Sequence, residues 1–395
     1  MDRLAVDGGA PVRSSLLPYG RQCVDESDVA AVSAALRSSH LTTGPAVAGF
    51  EEAFAGAVGA GHAVAVSSGT AALHAAVFAA GIGTGDEVIT TPMTFAATAN
   101  CVRYQRGTVR FADVRRETLN IDPRQVERAI GPRTRAIIAV DYAGQAADLD
   151  ELRHVATAHG VPVIEDAAHA LGATYKTAAV GSICTMTTFS LHPVKQITSG
   201  EGGVITTNDG TLAERLRRFR NHGINADHRQ REVAGSWWYE IHDLGFNYRL
   251  TDIQCALGLS QLQKLSGWIA KRRAIAARYA AALTDVPEIE LPSSIPDRES
   301  AWHLYVVRLN LERLRVGREQ VFTALRAENI GVNVHYIPVP WHPYYQNLGY
   351  RRGEWPVAEA EYERLLSLPL WPGMTDGDVD DTIAAVRKVL AAYRR

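Results

Sequence analysis

The sequence predicts an α/β protein: a large domain with a mostly parallel central sheet flanked by helices, and a smaller α+β domain at the C-terminal end. Three observations carry this. From about residue 60 to 210, short apolar runs alternate with helical patterns, the signature of right-handed βαβ units. A long helical pattern then runs from about Thr251 to Ala282. Beyond the Pro-rich stretch Leu291–Pro296, a strand, helix and strand follow. The expected division is 1–255 for the large domain with N-terminal substrate segments, and 256–395 for the linking helix and small domain.

Taken in order, Ala63–Val66 reads as a strand and Thr70–Ala80 as an Ala-rich helix. Glu87–Thr90 is a second strand, Ala96–Tyr104 a second helix, and Val109–Phe111 a third strand. A helix from about Pro123 to Ile130 precedes a strand over Arg135–Val140; Leu149–His159 is helical and Val161–Glu165 extended. An apolar run ends at Ser190, and Val204–Thr207 forms the next strand. In the small domain, His303–Leu309 reads as a strand, Arg318–Glu328 as a helix and Gly331–His335 as a strand. Ligands on sheets of this kind sit beyond the C-terminal strand ends. Thr70, Thr94, Asp166 and Ser190 all fall there.

Composition narrows the function classes. The chain has 395 residues, 46% hydrophobic and 21% charged, an ordinary globular balance with enough length for a large core. A formal net charge of −2 gives no basis for a nucleic-acid partner. Cys23, Cys101, Cys184 and Cys255 are scattered without metal-ligand spacing, so no metal is expected. The start, Met1-Asp2-Arg3-Leu4, lacks the apolar core of a leader, and no run reaches the ~20 residues of a membrane span. These features lead to the expectation of a cytoplasmic protein.

Lys195 lies in Ser190-Leu191-His192-Pro193-Val194-Lys195, followed by Gly200-Glu201-Gly202-Gly203, between two strands. Upstream, Val163-Ile164-Glu165-Asp166 is a buried-looking strand that ends on a carboxylate. A lysine amine can form a Schiff base with the carbonyl of pyridoxal 5′-phosphate (PLP), and a carboxylate can hold its pyridinium nitrogen protonated. The bland alternative is a surface lysine in a loop. Glu165 points to the opposite face by strand alternation and reads as a structural acid. Ser67-Ser68-Gly69-Thr70 joins a strand to a helix, where amides and hydroxyls make an anion site or a plain N-cap.

Ser-Leu-His-Pro-Val-Lys with Gly-Glu-Gly-Gly resembles the signature of the nucleotide-sugar aminotransferases, a branch of the fold type I PLP-dependent transferases. The resemblance runs from about Tyr19 to the C-terminus. It implies that Lys195 and Asp166 are catalytic and that Gly69, Thr70 and Ser190 serve the cofactor phosphate. Phe95 matches an aromatic over the cofactor ring, with a core Phe as the alternative. His169 matches a position that packs on the ring or meets its phenolic oxygen, unless it is a structural histidine. Gly245-Phe246-Asn247-Tyr248-Arg249 resembles a Gly-x-Asn-x-Arg motif in which the Asn reaches the phosphate of the neighbouring subunit. That implies a homodimer with shared active sites. Arg249 serves either an acidic ligand or an ion pair with Asp252, and His192 either packing or substrate.

Three further pieces resemble substrate segments. They are Leu17-Pro18-Tyr19-Gly20, Ser39-His40-Leu41-Thr42, and the loop carrying His335-Tyr336-Ile337-Pro338. Together they most resemble the branch serving pseudaminic acid biosynthesis. That branch aminates the C4 ketone of a UDP-linked 4-keto-6-deoxy-N-acetyl-altrosamine-type sugar. The resemblance implies L-glutamate as amino donor. Rival readings are an NDP-hexose 3- or 4-aminotransferase of an antibiotic or perosamine-type pathway, and a non-catalytic regulator on the same fold. A related dehydratase branch has His in place of the lysine, and Lys195 argues against it.

Overall fold

The computed structural model describes residues 3–226 and 228–395; Met1 and Asp2, part of the stretch read for a leader, lie outside them. The strands of the large sheet are β1 (His62–Val66), β2 (Glu87–Thr90), β3 (Thr108–Phe111), β4 (Thr134–Val140) and β5 (Val163–Asp166). After two short strands, β6 (Thr174–Tyr175) and β7 (Ala178–Ala179), the sheet is completed by β8 (Met186–Ser190) and β9 (Gly203–Thr207). The order is β1-β9-β8-β5-β4-β2-β3. From β3 to β8 all pairings are parallel, while β9 runs antiparallel to both β8 and β1.

Burial follows position in the sheet. Central β4 is almost continuously apolar and only Arg135 is exposed, as expected of a strand covered on both faces. Edge strand β3 alternates, with Val109 and Phe111 inward and Thr108 and Arg110 outward. The helix Gly69–Ala79 passes through the interior, and its Ala-rich sequence lets the sheet approach closely. Among the described residues no helix is long and apolar enough to cross a membrane.

The C-terminal part holds β10 (Ile289–Glu290), β11 (Arg298–Glu299), β12 (Tyr305–Leu309) and β13 (Leu365–Leu368). Strands β10, β12 and β13 form an antiparallel sheet; β11 instead pairs with β6. Helices Arg318–Ala327 and Asp376–Tyr393 share its core with Tyr279, and the N-terminal Leu4 and Leu17 join the same cluster.

Two expected elements differ. The long helix is two helices, Asp252–Leu262 and Leu265–Leu283. The break at Gln263–Lys264 coincides with the Lys264 ammonium reaching Asp25 (2.6 Å) and Asp28 (2.8 Å). No Gly or Pro marks this break. Gly331–His335 is extended but not a strand: the Gly331 amide donates to the Leu17 carbonyl (2.7 Å) and Asn333 bridges to Ser367, so its hydrogen bonds are split between two neighbours.

Candidate active site

Three C-terminal strand ends meet the N-terminus of helix Gly69–Ala79 around a cavity of about 580 Å³. Of the residues singled out from sequence, Tyr19, Gly69, Thr70, Phe95 and Asp166 line it. So do His169, Ser190, Lys195, His335 and Tyr336, and His192 stands exposed at the rim. The cavity is therefore assembled from segments spread over most of the chain.

At one end, the Ser68 hydroxyl accepts the Ala71 amide (3.0 Å). The Gly69 and Thr70 amides meet no acceptor among the described residues, which leaves a helix N-terminus open to an anion. Gly69 is required here, because a Cβ would stand 2.9 Å from the Ser190 Cβ.

At the other end, Asp166 is buried at the tip of β5. It accepts the Thr98 hydroxyl (2.7 Å) and the Ala168 amide (3.2 Å), and Thr98 in turn meets the Thr94 hydroxyl (2.7 Å). Burial raises the Asp166 pKa, while these donors and the Lys195 charge oppose the rise. Burial pushes the Lys195 amine down to about 8, against the opposing pull of Asp166 and with help from Arg272. At neutral pH a useful fraction of Lys195 is thus already unprotonated.

The His169 Nε2 lies 2.9 Å from the Tyr336 hydroxyl, and its Nδ1 is buried without a partner. Its ring centroid is 4.4 Å from that of His303. Burial first, then the Lys195 charge, holds His169 well below the ordinary imidazole pKa, so it is neutral. His335 donates to or accepts from the Ser367 hydroxyl (2.8 Å), and its carbonyl accepts the Tyr142 hydroxyl. Glu165 does face away from the cavity: it takes the Thr187 hydroxyl (2.8 Å) on the far side of β5, near a second buried acid, Asp141.

Other sequence candidates lie outside this cavity. Asn247 is exposed and bridges to Asn221. Ser39, His40 and Leu41 are exposed, and Thr42 bridges to Thr251. Thr42 also borders a second cavity of about 600 Å³ with Arg217, Arg220 and Arg249. Ile337 is exposed and Pro338 leads into a short 3₁₀ turn. The Arg249–Asp252 ion pair is not formed. Arg249 donates to Asn221 (2.6 Å), whereas Asp252 accepts the amides of Gly44 (2.7 Å) and Ala46 (3.0 Å), which cap the helix Pro45–Val58.

Sequence reasoning missed Thr98 and His303, both of which line the cavity; Asn333, two residues before His335 in the loop read as a substrate segment, lines it too. Thr98 had a signal, since it sits four residues after Thr94 and so on the same face of a helix start. His303 had none. It is brought in by Trp302 in the left-handed region (φ 47°) and by Gly144 (φ 107°), where a Cβ would stand 2.8 Å from the Trp302 nitrogen.

The features fit PLP: an open helix N-terminus for a phosphate, a buried carboxylate for a ring nitrogen, an amine of depressed pKa, and a neutral ring beside the gap between them. Residues 22–387 match the DegT/DnrJ/EryC1/StrS aminotransferase family. The chain belongs to this family. The aminotransferase is 45% identical to the spore coat polysaccharide biosynthesis protein SpsC of Bacillus subtilis over 96% of its own length and 98% of SpsC. Its structure is similar to that of Spr1654 of Streptococcus pneumoniae in the PLP form, with a TM-score of 0.89 and 30% identity, covering 95% and 99% of the two chains. It is equally similar to PseC of Helicobacter pylori, an aminotransferase of pseudaminic acid biosynthesis, with a TM-score of 0.89 and 31% identity over 96% and 100%. The aminotransferase is a PLP-dependent enzyme with the fold of these neighbours.

Proposed function

We propose that the aminotransferase moves the amino group of L-glutamate to the C4 ketone of a UDP-linked 4-keto-6-deoxy amino sugar of the pseudaminic acid type. The observation that carries a sugar substrate is the cavity itself. Beyond Lys195 it continues between Tyr19, Asn333 and His335, an aromatic and hydrogen-bonding wall suited to a sugar ring. The full-length likeness to PseC supports the finer reading. A second reading, a different nucleotide-linked hexose, rests on the higher identity to SpsC.

When bound, PLP supplies a carbonyl that takes up the amino group and a ring that accepts electrons. The protein's own groups do the rest. The amides of Gly69 and Thr70 with Ser190 would hold the phosphate. Asp166, buried and accepting the Thr98 hydroxyl and the Ala168 amide, would hold the ring nitrogen's proton. His169, neutral and hydrogen-bonded to Tyr336, would lie beside the ring. Lys195 would be the tether for the cofactor, and its freed Nζ would take a proton from the donor carbon and return one to the sugar carbon. A panel of UDP- and dTDP-linked keto sugars with glutamate, read by mass spectrometry, tests the assignment. Amination at C4 of the UDP-linked 4-keto-6-deoxy-N-acetyl sugar is expected to exceed all others. Preferential amination of a dTDP-hexose, or at C3, would establish the second reading instead.

We further propose that the working form is a homodimer with shared sites, in the cytoplasm, where the four free cysteines stay reduced. The stretch from Val233 to Leu244 leaves large apolar side chains in solvent, with Trp237 81% and Leu244 86% exposed. A second copy covering this stretch would bring Asn247 and Ser39–Thr42 to its neighbour's cavity. The expected result is complementation. Lys195→Ala and Asn247→Trp, each inactive alone, should together recover up to about half of one dimer's activity, one good site in two. Heterodimers that form but stay inactive would show that Asn247 acts in its own chain or not at all.

A further inference from the structure

Arg272 is the most anomalous charged residue in the fold. It lies in the helix Leu265–Leu283 and is 0% exposed. No carboxylate of the described residues pairs with it. Its guanidinium is instead surrounded by backbone carbonyls from three separate segments. Nη1 donates to Trp302 (3.2 Å), His303 (3.4 Å) and Leu370 (3.1 Å), and Nη2 to Lys195 (3.4 Å). Its Nε is buried without a partner. A guanidinium stays protonated in proteins, and burial pushes this one down only to about 10, so the charge persists at neutral pH.

A buried charge without a counter-charge is costly, and carbonyl dipoles offset only part of that. Neutral donors such as an amide would bridge the same carbonyls without this penalty. The charge therefore calls for a use beyond gluing segments together. What the bridged segments share is the catalytic lysine and the histidine beside it.

We propose that Arg272 is a positioning residue for Lys195: its fork fixes the lysine's backbone, and its uncompensated charge keeps the lysine's amine available as a base near neutral pH. The groups facing the Lys195 amine are Asp166 from β5, which favours its charged form, and Arg272 from the linking helix, which opposes it. His169, His303 and His335 surround it as well, and burial holds all three neutral. Arg272 is thus the one permanent cation acting on Lys195 among the described residues. It also holds the carbonyl of His303, so the same side chain sets the position of the ring that packs, tilted, against His169. The helix that carries it runs on into the core of the small domain through Tyr279, which couples lysine placement to the seating of that domain.

The inference rests on Lys195 being the reactive amine, but its test needs neither sugar nor amino donor, so its failure is distinct from a wrong substrate. The pH dependence of Lys195 acetylation by trace acetic anhydride, read by mass spectrometry on the cofactor-free full chain, gives the midpoint of the amine directly. In Arg272→Met the midpoint should rise by about 1 pH unit. In Arg272→Gln, which keeps an amide donor but removes the charge, it should rise by a similar amount. A folded Arg272→Met protein with an unmoved midpoint would overturn the proposal. Should that variant not fold, Arg272→Gln decides alone. With the fork cut to a single amide, hydrogen exchange across residues 191–202 is expected to quicken about tenfold while the midpoint rises. Unchanged exchange, or an unmoved midpoint, would show that Arg272 does not position the lysine in this way.

Discussion

Lys195→Ala is expected to abolish turnover while leaving the cofactor partly bound. In the proposed function the side chain has two tasks, the resting covalent link and the proton transfers, and alanine can do neither. General base catalysis alone accounts for up to about 10⁴-fold, so kcat should fall by at least that factor. The proposed phosphate end, at Gly69, Thr70 and Ser190, is untouched, and so is Asp166. Retained cofactor should therefore be seen by absorbance after gel filtration, with the spectrum of the free carbonyl form. Added methylamine tests the division of labour, because a small amine can replace the proton carrier but not the tether. Sugar amination at a normal rate in the variant would remove Lys195 from the mechanism.

Asp166→Asn should lower kcat by about 10³-fold with the fold intact. The carboxamide is nearly isosteric, and one of its atoms can still accept the Thr98 hydroxyl. What it cannot do is balance a ring cation in a buried site. The change therefore strikes transition-state charge rather than binding, and KM for the sugar should move little. Steady-state kinetics together with a thermal melt separate the two. A loss below about tenfold would mean that another group holds the ring nitrogen.

The two proposed catalytic residues were legible because each sits in a short local pattern. Asp166 ends an apolar strand, and Lys195 lies between a strand and a Gly-rich return, so periodicity and turn chemistry place both at one edge of the sheet. The helix Ala96–Tyr104 and the strand Glu87–Thr90 were bounded correctly for the same reason. What failed was whatever depends on distant chain. Arg272 sits in Lys271-Arg272-Arg273, which reads as a solvated basic run; only the arrival of Lys195, His303 and Leu370 shows that its middle member is buried. The break at Lys264 depends on Asp25 and Asp28, more than two hundred positions away in sequence. Gly331–His335 has a strand-like pattern, but its neighbours on either side belong to different parts of the molecule. His303 enters the cavity through a left-handed Trp302, a conformation that no local preference for tryptophan predicts.

The reversed strand β9 imposes an order of events on the newborn chain. Lys195 lies on the connection that leads into β9, and β9 is held between β8 and β1. The pairing of β8 with β9 is local and can form early, but the pairing of His62–Val66 with Gly203–Thr207 must close a loop that contains nearly the whole parallel sheet. Closing so long a loop comes at an entropic cost that local contacts do not repay, and non-local pairings of this sort are slow steps. The helix Gly69–Ala79, with its open N-terminus, follows β1 directly and packs on both β8 and β9. The lysine and the helix end are thus brought together by chain distant in sequence, and the cavity is complete only once that helix has seated on the returning strands.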